Sequence, residues 1–191
     1  MRIHHLDCGS MCPLGGRLFG GAGGPWAPAP MCCHCLLIES EDGLILVDTG
    51  LGVEDVNNPE RLGRPFRLAT RPGLEVAQTA LRQVADRGFS VADLRHIVVT
   101  HLDLDHAGGI CDFPDAKVHV FAPELRAARN RESLAERNRY RSVQISAVSN
   151  WAPVELDGDD WFGFEAVRAL PGTRDDVLLI PLLGHTRAIA A

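Results

Sequence analysis

An apolar, β-branched run, Ile97-Val98-Val99, passes without a break into Thr100-His101-Leu102-Asp103-Leu104-Asp105-His106-Ala107-Gly108-Gly109. No other stretch limits the fold as tightly. The apolar run reads as a buried strand, and its end must hold two imidazoles and two carboxylates brought within six residues, His101 to His106. In extended backbone alternate side chains share a side, so His101, Asp103 and Asp105 are expected to converge. His106 is expected to point elsewhere until the chain turns at Gly108-Gly109. Neutral imidazole nitrogen and carboxylate oxygen are ligands that zinc, iron and manganese accept. The competing reading, a polar loop whose Asp103 or Asp105 caps a following helix, accounts for one aspartate and neither histidine.

At 191 residues the chain suffices for one domain, expected over 1–191, that buries roughly 70% of its unfolded surface. A formal net charge of −6 argues against nucleic acid or an anionic membrane as partner, since both need a basic field. The first residues, Met1-Arg2-Ile3-His4-His5-Leu6-Asp7, lack the apolar segment of a signal peptide. The longest apolar runs, Cys35–Ile38 and Val177–Leu183 with Pro181 inside it, are too short to span a bilayer. A cytoplasmic protein acting on a small molecule is the expectation.

Cys35–Ile38 and Leu44–Val47, separated by Glu41-Asp42-Gly43, read as a hairpin that ends in Asp48-Thr49-Gly50. Residues 52–72, rich in Pro, Gly and Arg, read as a loop. Leu74, Ala77, Leu81 and Val84 follow the spacing of one helix face, and Gly88 is a natural stop. Ser90-Val-Ala-Asp93 has the form of a capping box before a strand at His96–Thr100. Ala116–Phe121 alternates as a strand, and Pro123 suits a first helical turn. Trp161–Leu170 and Val177–Leu182 are further strand candidates.

Three other features invite function. Cys8 and Cys12, with Cys32, Cys33 and Cys35 further on, have a loose zinc-like spacing. A strand with small buried side chains over Cys33–Leu37 explains them better. Gly15–Gly24 lacks the ending of a phosphate loop and reads as a flexible loop, or as a flap with Phe19 and Trp26 as substrate contacts. Residues 126–141 carry six arginines against two glutamates, a solvated helix face or the rim of an anion-attracting site.

The stretch Thr-His-Leu-Asp-Leu-Asp-His-Ala-Gly-Gly resembles the His-x-His-x-Asp-His signature of the metallo-β-lactamase superfamily. Leu46-Val47-Asp48-Thr49-Gly50 is similar to that family's first motif, and Leu182-Leu183-Gly184-His185-Thr186 to its later Gly-His-Thr motif. Asp-Thr-Gly and Gly-His-Thr are weak signals singly. The ordered set, covering roughly residues 35–187, is specific.

The resemblance implies an α/β fold, the metallo-β-lactamase-like αββα sandwich, in a single domain. It implies two divalent metal ions, zinc foremost with manganese or iron as alternatives. One would be held by His101, Asp103 and His185, the other by Asp105 and His106. Asp105 would also orient the attacking water, and Asp48 would orient ligands without binding metal. Activity would be metal-dependent hydrolysis of a small ester, lactone or thioester. Two departures qualify this. Position 103 is Asp where the signature commonly has His, which adds negative charge and favours manganese or iron over zinc. The family's bridging aspartate and further histidine follow Gly-His-Thr, whereas Asp157, Asp159, Asp160, Asp175 and Asp176 all precede His185.

The second half of the sandwich is therefore expected to lack its C-terminal part. The chain would then hold only one ion, and an exposed sheet edge would favour self-association. A second reading is a non-catalytic, truncated pseudoenzyme binding at most one ion. A third is a mononuclear-iron member that oxidises a persulfide.

Overall fold

Six strands form the first sheet in chain order: β1 (Arg2–Met11), β2 (Met31–Ser40), β3 (Gly43–Val47), β4 (Leu94–Val98), β5 (Lys117–Phe121) and β6 (Trp151–Val154). The computed structural model describes residues 1–174 and 177–190; Asp175, Asp176 and Ala191 lie outside them. β1, β2 and β3 pair antiparallel, while β3, β4, β5 and β6 run parallel. The hairpin turn falls at Glu41-Asp42, as the apolar–polar–apolar pattern requires.

The central strands are apolar on both faces because both faces are covered. Leu44, Leu46, Ile97, Val99, Val118 and Val120 pack on one side, against Val84 and Leu125 from flanking helices. Ile45, Val98 and Phe121 pack on the other, with Leu170 and Leu179 of a second layer. Burying each such side chain contributes about 1.5–3 kcal/mol. The second layer comprises β7 (Asp159–Trp161), β8 (Phe164–Ala169) and β9 (Leu178–Leu179) in one sheet, and β10 (Pro181–Gly184) with β11 (Thr186–Ala190) in another. Among the described residues the layers are thus helix, sheet, sheet. The last described strand is tied down: β11 pairs with β10, and the Ala190 N–H donates to the Thr100 carbonyl at 2.9 Å.

Several expected boundaries move. Residues 52–72 are not a loop but short helical turns, Val53–Asn57, Pro59–Leu62 and Arg64–Thr70. None is long enough to stand alone. They are held by tertiary contacts, with Leu62 and Leu51 packed against Leu104, and Asp55 fully buried against Arg61 Nε at 3.1 Å and Gln144 Nε2 at 3.1 Å. The helix expected from Leu74 starts later, at Ala80–Asp86, capped by Thr79. Leu74 itself has φ 53 and lies outside it. Trp161–Leu170 is broken by a turn at Phe162-Gly163 into β7 and β8. Strand β1 went unanticipated, since its exposed, polar outward face dilutes the apolar alternation. Cys33 and Cys35 are buried in β2, in keeping with small core side chains.

Between the layers lies a histidine pair. His96 Nδ1 and His119 Nε2 are 2.9 Å apart, and His119 Nδ1 is buried without a hydrogen-bond partner among the described residues. A protonated His119 would bury an N–H with nothing to accept it. Burial, then His96 and Lys117, push its pKa down to about 4. The unfolded chain takes up that proton at about pH 6.5. Between about pH 6.5 and pH 4 the unfolded state therefore holds more protons, so stability is full above this window and falls as pH drops through it. One such group contributes up to about 3 kcal/mol. Melting temperature should decline between about pH 7 and pH 5, and a His119→Asn variant should decline less. Equal slopes for the two proteins would contradict the assignment.

Candidate metal centre

In a parallel sheet the loops leaving the C-terminal strand ends gather at one edge, and this is where ligands bind. Here the loops after β3 and β4 meet. Asp48 follows β3 with φ 56, a left-handed conformation that Asp tolerates better than most residues. Its buried carboxylate accepts from the Thr100 N–H at 2.7 Å and the Thr100 hydroxyl at 2.7 Å, and meets His106 Nδ1 at 2.7 Å. That last contact places the imidazole hydrogen on Nδ1 and leaves the Nε2 lone pair as the one a cation could use. Burial alone would lower the His106 pKa, but the bond to Asp48 and its charge, with Asp105 and Asp103, raise it.

Thr49 stitches the same loop to the next one, taking its N–H and its hydroxyl to the His106 carbonyl at 2.8 and 2.9 Å. Gly50, at φ 62, lies so close to the Cys8 carbonyl that an added Cβ would collide with it.

Strand β4 ends at Val98, and a four-residue helix begins at Leu104. This corrects the extended reading of the cluster. His106 does not point away; the helical turn swings it inward until its ring lies 4.0 Å from that of His101. Asp103 occupies the N-cap position of this helix but makes no side-chain cap bond. Its Oδ2 faces His101 Nε2 at 3.3 Å and His185 Nε2 at 3.2 Å instead. His185 reaches the site from the tight turn between β10 and β11, with φ 42. One ligand atom each from His101, Asp103 and His185 lie within 4.8 Å of one another, the one such group among the described residues. Asp105 stands outside that trio, its Oδ2 3.7 Å from His106 Nε2.

Two nitrogens and one carboxylate oxygen fit zinc, manganese or iron. The Asp103 carboxylate is primed for a cation. Burial would raise its pKa, yet His101 and Arg139 hold it below the ordinary carboxylate range.

Three supporting residues escaped the sequence reading. Arg139, from the arginine-rich run, contacts Asp103 Oδ1 through Nε at 2.6 Å and the His185 carbonyl through Nη1 at 2.6 Å. Glu124, fully buried, accepts from the Leu102 N–H at 3.0 Å and from the Tyr140 hydroxyl at 3.1 Å, which locks the backbone between His101 and Asp103. The lone tyrosine was the available signal for this second contact. A cavity of about 410 Å³ adjoins the trio, lined by Ala135, Glu136, Arg139, Tyr140, His185 and Thr186. Phe19 and Trp26, by contrast, stand largely exposed on the glycine-rich loop.

Residues 30–189 match the metallo-beta-lactamase superfamily. The chain belongs to that superfamily. It is similar along its whole length, 44% identical over 191 residues, to a probable metallo-hydrolase of Mycobacterium tuberculosis, of which it covers 57%. Over 99 residues it is 34% identical to the N-acyl homoserine lactonase AiiA of Bacillus thuringiensis subsp. kurstaki, a match that covers 51% of this chain and 40% of that one. The solved structure of a B. thuringiensis AiiA variant with N-decanoyl-L-homoserine bound at the active site superimposes with a TM-score of 0.72. That structure is 27% identical, and the match covers 98% of this chain and 68% of it. The chain spans a little over half the length of the mycobacterial metallo-hydrolase. The superfamily's metallo-β-lactamase fold is thus shared with lactonases. No helix among the described residues is long and apolar enough to cross a membrane.

Proposed function

We propose that this chain carries the metal-binding half of a hydrolase that cleaves a small ester, lactone or thioester. The observation that carries the reading is the convergence of His101, Asp103 and His185 from two separate loops, with ligand atoms within 4.8 Å. In this reading those three side chains hold one divalent cation, and His106 Nε2 with Asp105 offers a second position. A cation there supplies Lewis acidity and makes neighbouring water more acidic. Asp48 keeps the hydrogen on His106 Nδ1 and fixes that ring. Asp105 orients the attacking water and takes up its proton. The similarity to AiiA favours a lactone substrate, and the cavity beside His185 is where its acyl part would lie.

A second reading, one bound ion without turnover, is favoured by the presence of just one three-ligand group among the described residues. A panel of N-acyl homoserine lactones, aryl esters and thioesters, assayed with added manganese or zinc, separates the two. Turnover that a chelator abolishes and Asp105→Asn strongly reduces supports the hydrolase. Stoichiometric metal with no turnover on any member supports the second reading.

A further inference from the structure

We infer that Arg139 is a cationic placeholder for the metal: its guanidinium holds the ligand trio together in the metal-free chain and must release His185 when a divalent ion enters. The inference rests on the metal-binding reading above and concerns what controls that binding. Its basis is a competition for one lone pair. Arg139 Nη2 lies 3.2 Å from His185 Nε2, the same nitrogen that faces Asp103 Oδ2. Arginine remains protonated, so its N–H cannot face another hydrogen. With the ring hydrogen on Nδ1 the guanidinium takes the Nε2 lone pair as acceptor, and Asp103 Oδ2 then faces the same nitrogen without a hydrogen between them, as two ligands of one cation do. A metal on Nε2 needs that same lone pair.

The rest of the fork is as closely engaged. Nε meets Asp103 Oδ1 at 2.6 Å, and Nη1 donates to the His185 carbonyl at 2.6 Å. The Nε contact is an ion pair without an aligned hydrogen bond, since Asp103 Oδ1 has no hydrogen-bond partner by geometry among the described residues. It can survive metal entry, because Oδ2 is the oxygen turned toward the two histidines. The contact to His185 Nε2 cannot. An aspartate at 103 is what gives the guanidinium its anchor; an imidazole there would offer no anion to pair with.

The route out is open. Arg139 ends a six-residue helix, Leu134–Arg139, that has no buried residue, and its side chain also lines the 410 Å³ cavity. Turning Nη2 away from His185 toward the edge of that cavity, with Nε still beside Asp103, disturbs no core packing.

The test is metal affinity, read without catalysis. Metal-free wild type, Arg139→Met and Arg139→Lys would each compete for Zn²⁺ and Mn²⁺ against a chromogenic chelator, with melting curves recorded in EDTA and at saturating metal. Removing a charge-assisted hydrogen bond that competes with the metal should tighten binding by roughly tenfold or more in Arg139→Met. The same variant should melt below wild type in EDTA, with the gap narrowing at saturating metal. Arg139→Lys, which keeps the charge and loses the fork, should fall between them and carries the test if the methionine variant fails to fold. Equal or weaker affinity in the variants, with metal bound by all, overturns the placeholder alone; weaker binding would make Arg139 a positioning residue for the ligands. No metal in any of the three overturns the metal-binding reading and the placeholder with it.

Discussion

Replacing Asp48 by alanine is expected to lower both stability and metal affinity, the first by about 2–4 kcal/mol and the second about 10–100-fold. The stability loss has two physical sources. The Thr100 N–H, the Thr100 hydroxyl and His106 Nδ1 all lose the Asp48 carboxylate, and the hydroxyl keeps only its contacts to the His101 and His106 rings. Alanine must also adopt φ 56, which costs it roughly 1 kcal/mol more than a residue that tolerates the left-handed region. The affinity loss follows from His106, whose ring orientation and tautomer depend on the carboxylate. Asp48→Asn separates these effects. It retains the backbone preference and the bond from the Thr100 N–H, so most of the stability should remain while affinity still falls. Chemical denaturation together with metal titration of both variants reads the two losses. Unchanged affinity in Asp48→Asn and Asp48→Ala would remove Asp48 from the site.

Glu124 predicts the second large effect. It is fully buried, and it joins the loop between His101 and Asp103 to Tyr140. Burial and then the neighbouring Glu124 charge push the Tyr140 hydroxyl above its ordinary pKa, so it stays a donor. Glu124→Ala removes the acceptor of two buried donors and opens a void, at an expected cost of about 3–5 kcal/mol. Glu124→Gln fills the same space. Its amide oxygen still accepts from Leu102, and its NH2 can donate to the tyrosine oxygen, so the cost should be about half or less. Urea denaturation of the two variants measures the difference. Equal, small losses would show that the loop is held by other contacts.

The parts of the site that could be read from the sequence are those where one backbone segment supplies the chemistry. Asp48-Thr49-Gly50 and Thr100–Gly109 each lie at the end of a strand whose apolar residues are plain in the sequence, and Gly184-His185-Thr186 is held in a tight turn. The direction of His106 was misread because it depends on where extended backbone gives way to helix. That switch at Leu104 is set by packing against Leu51 and against Leu62, the latter from residues 52–72, which read as a loop. The turns over residues 53–70 were illegible for a related reason: helices this short draw their stability from buried groups such as Asp55, not from local propensity. Arg139 could not be told apart from the other arginines of its run, because its role comes from His185, which lies 46 residues away. Glu124 gave the ordinary signal of an acidic first turn, and its burial arises only when the Leu102 backbone is laid against it.

Everything above turns on whether His101, Asp103 and His185 hold a metal ion in this chain. Equilibrium dialysis of metal-free protein against manganese or zinc, followed by elemental analysis, tests it most directly. At least one ion per wild-type chain is expected, with loss of that ion in a His101→Ala variant whose circular dichroism spectrum is unchanged. A folded wild-type chain that retains no stoichiometric metal at saturating concentrations, or a His101→Ala variant that binds as wild type does, would contradict it.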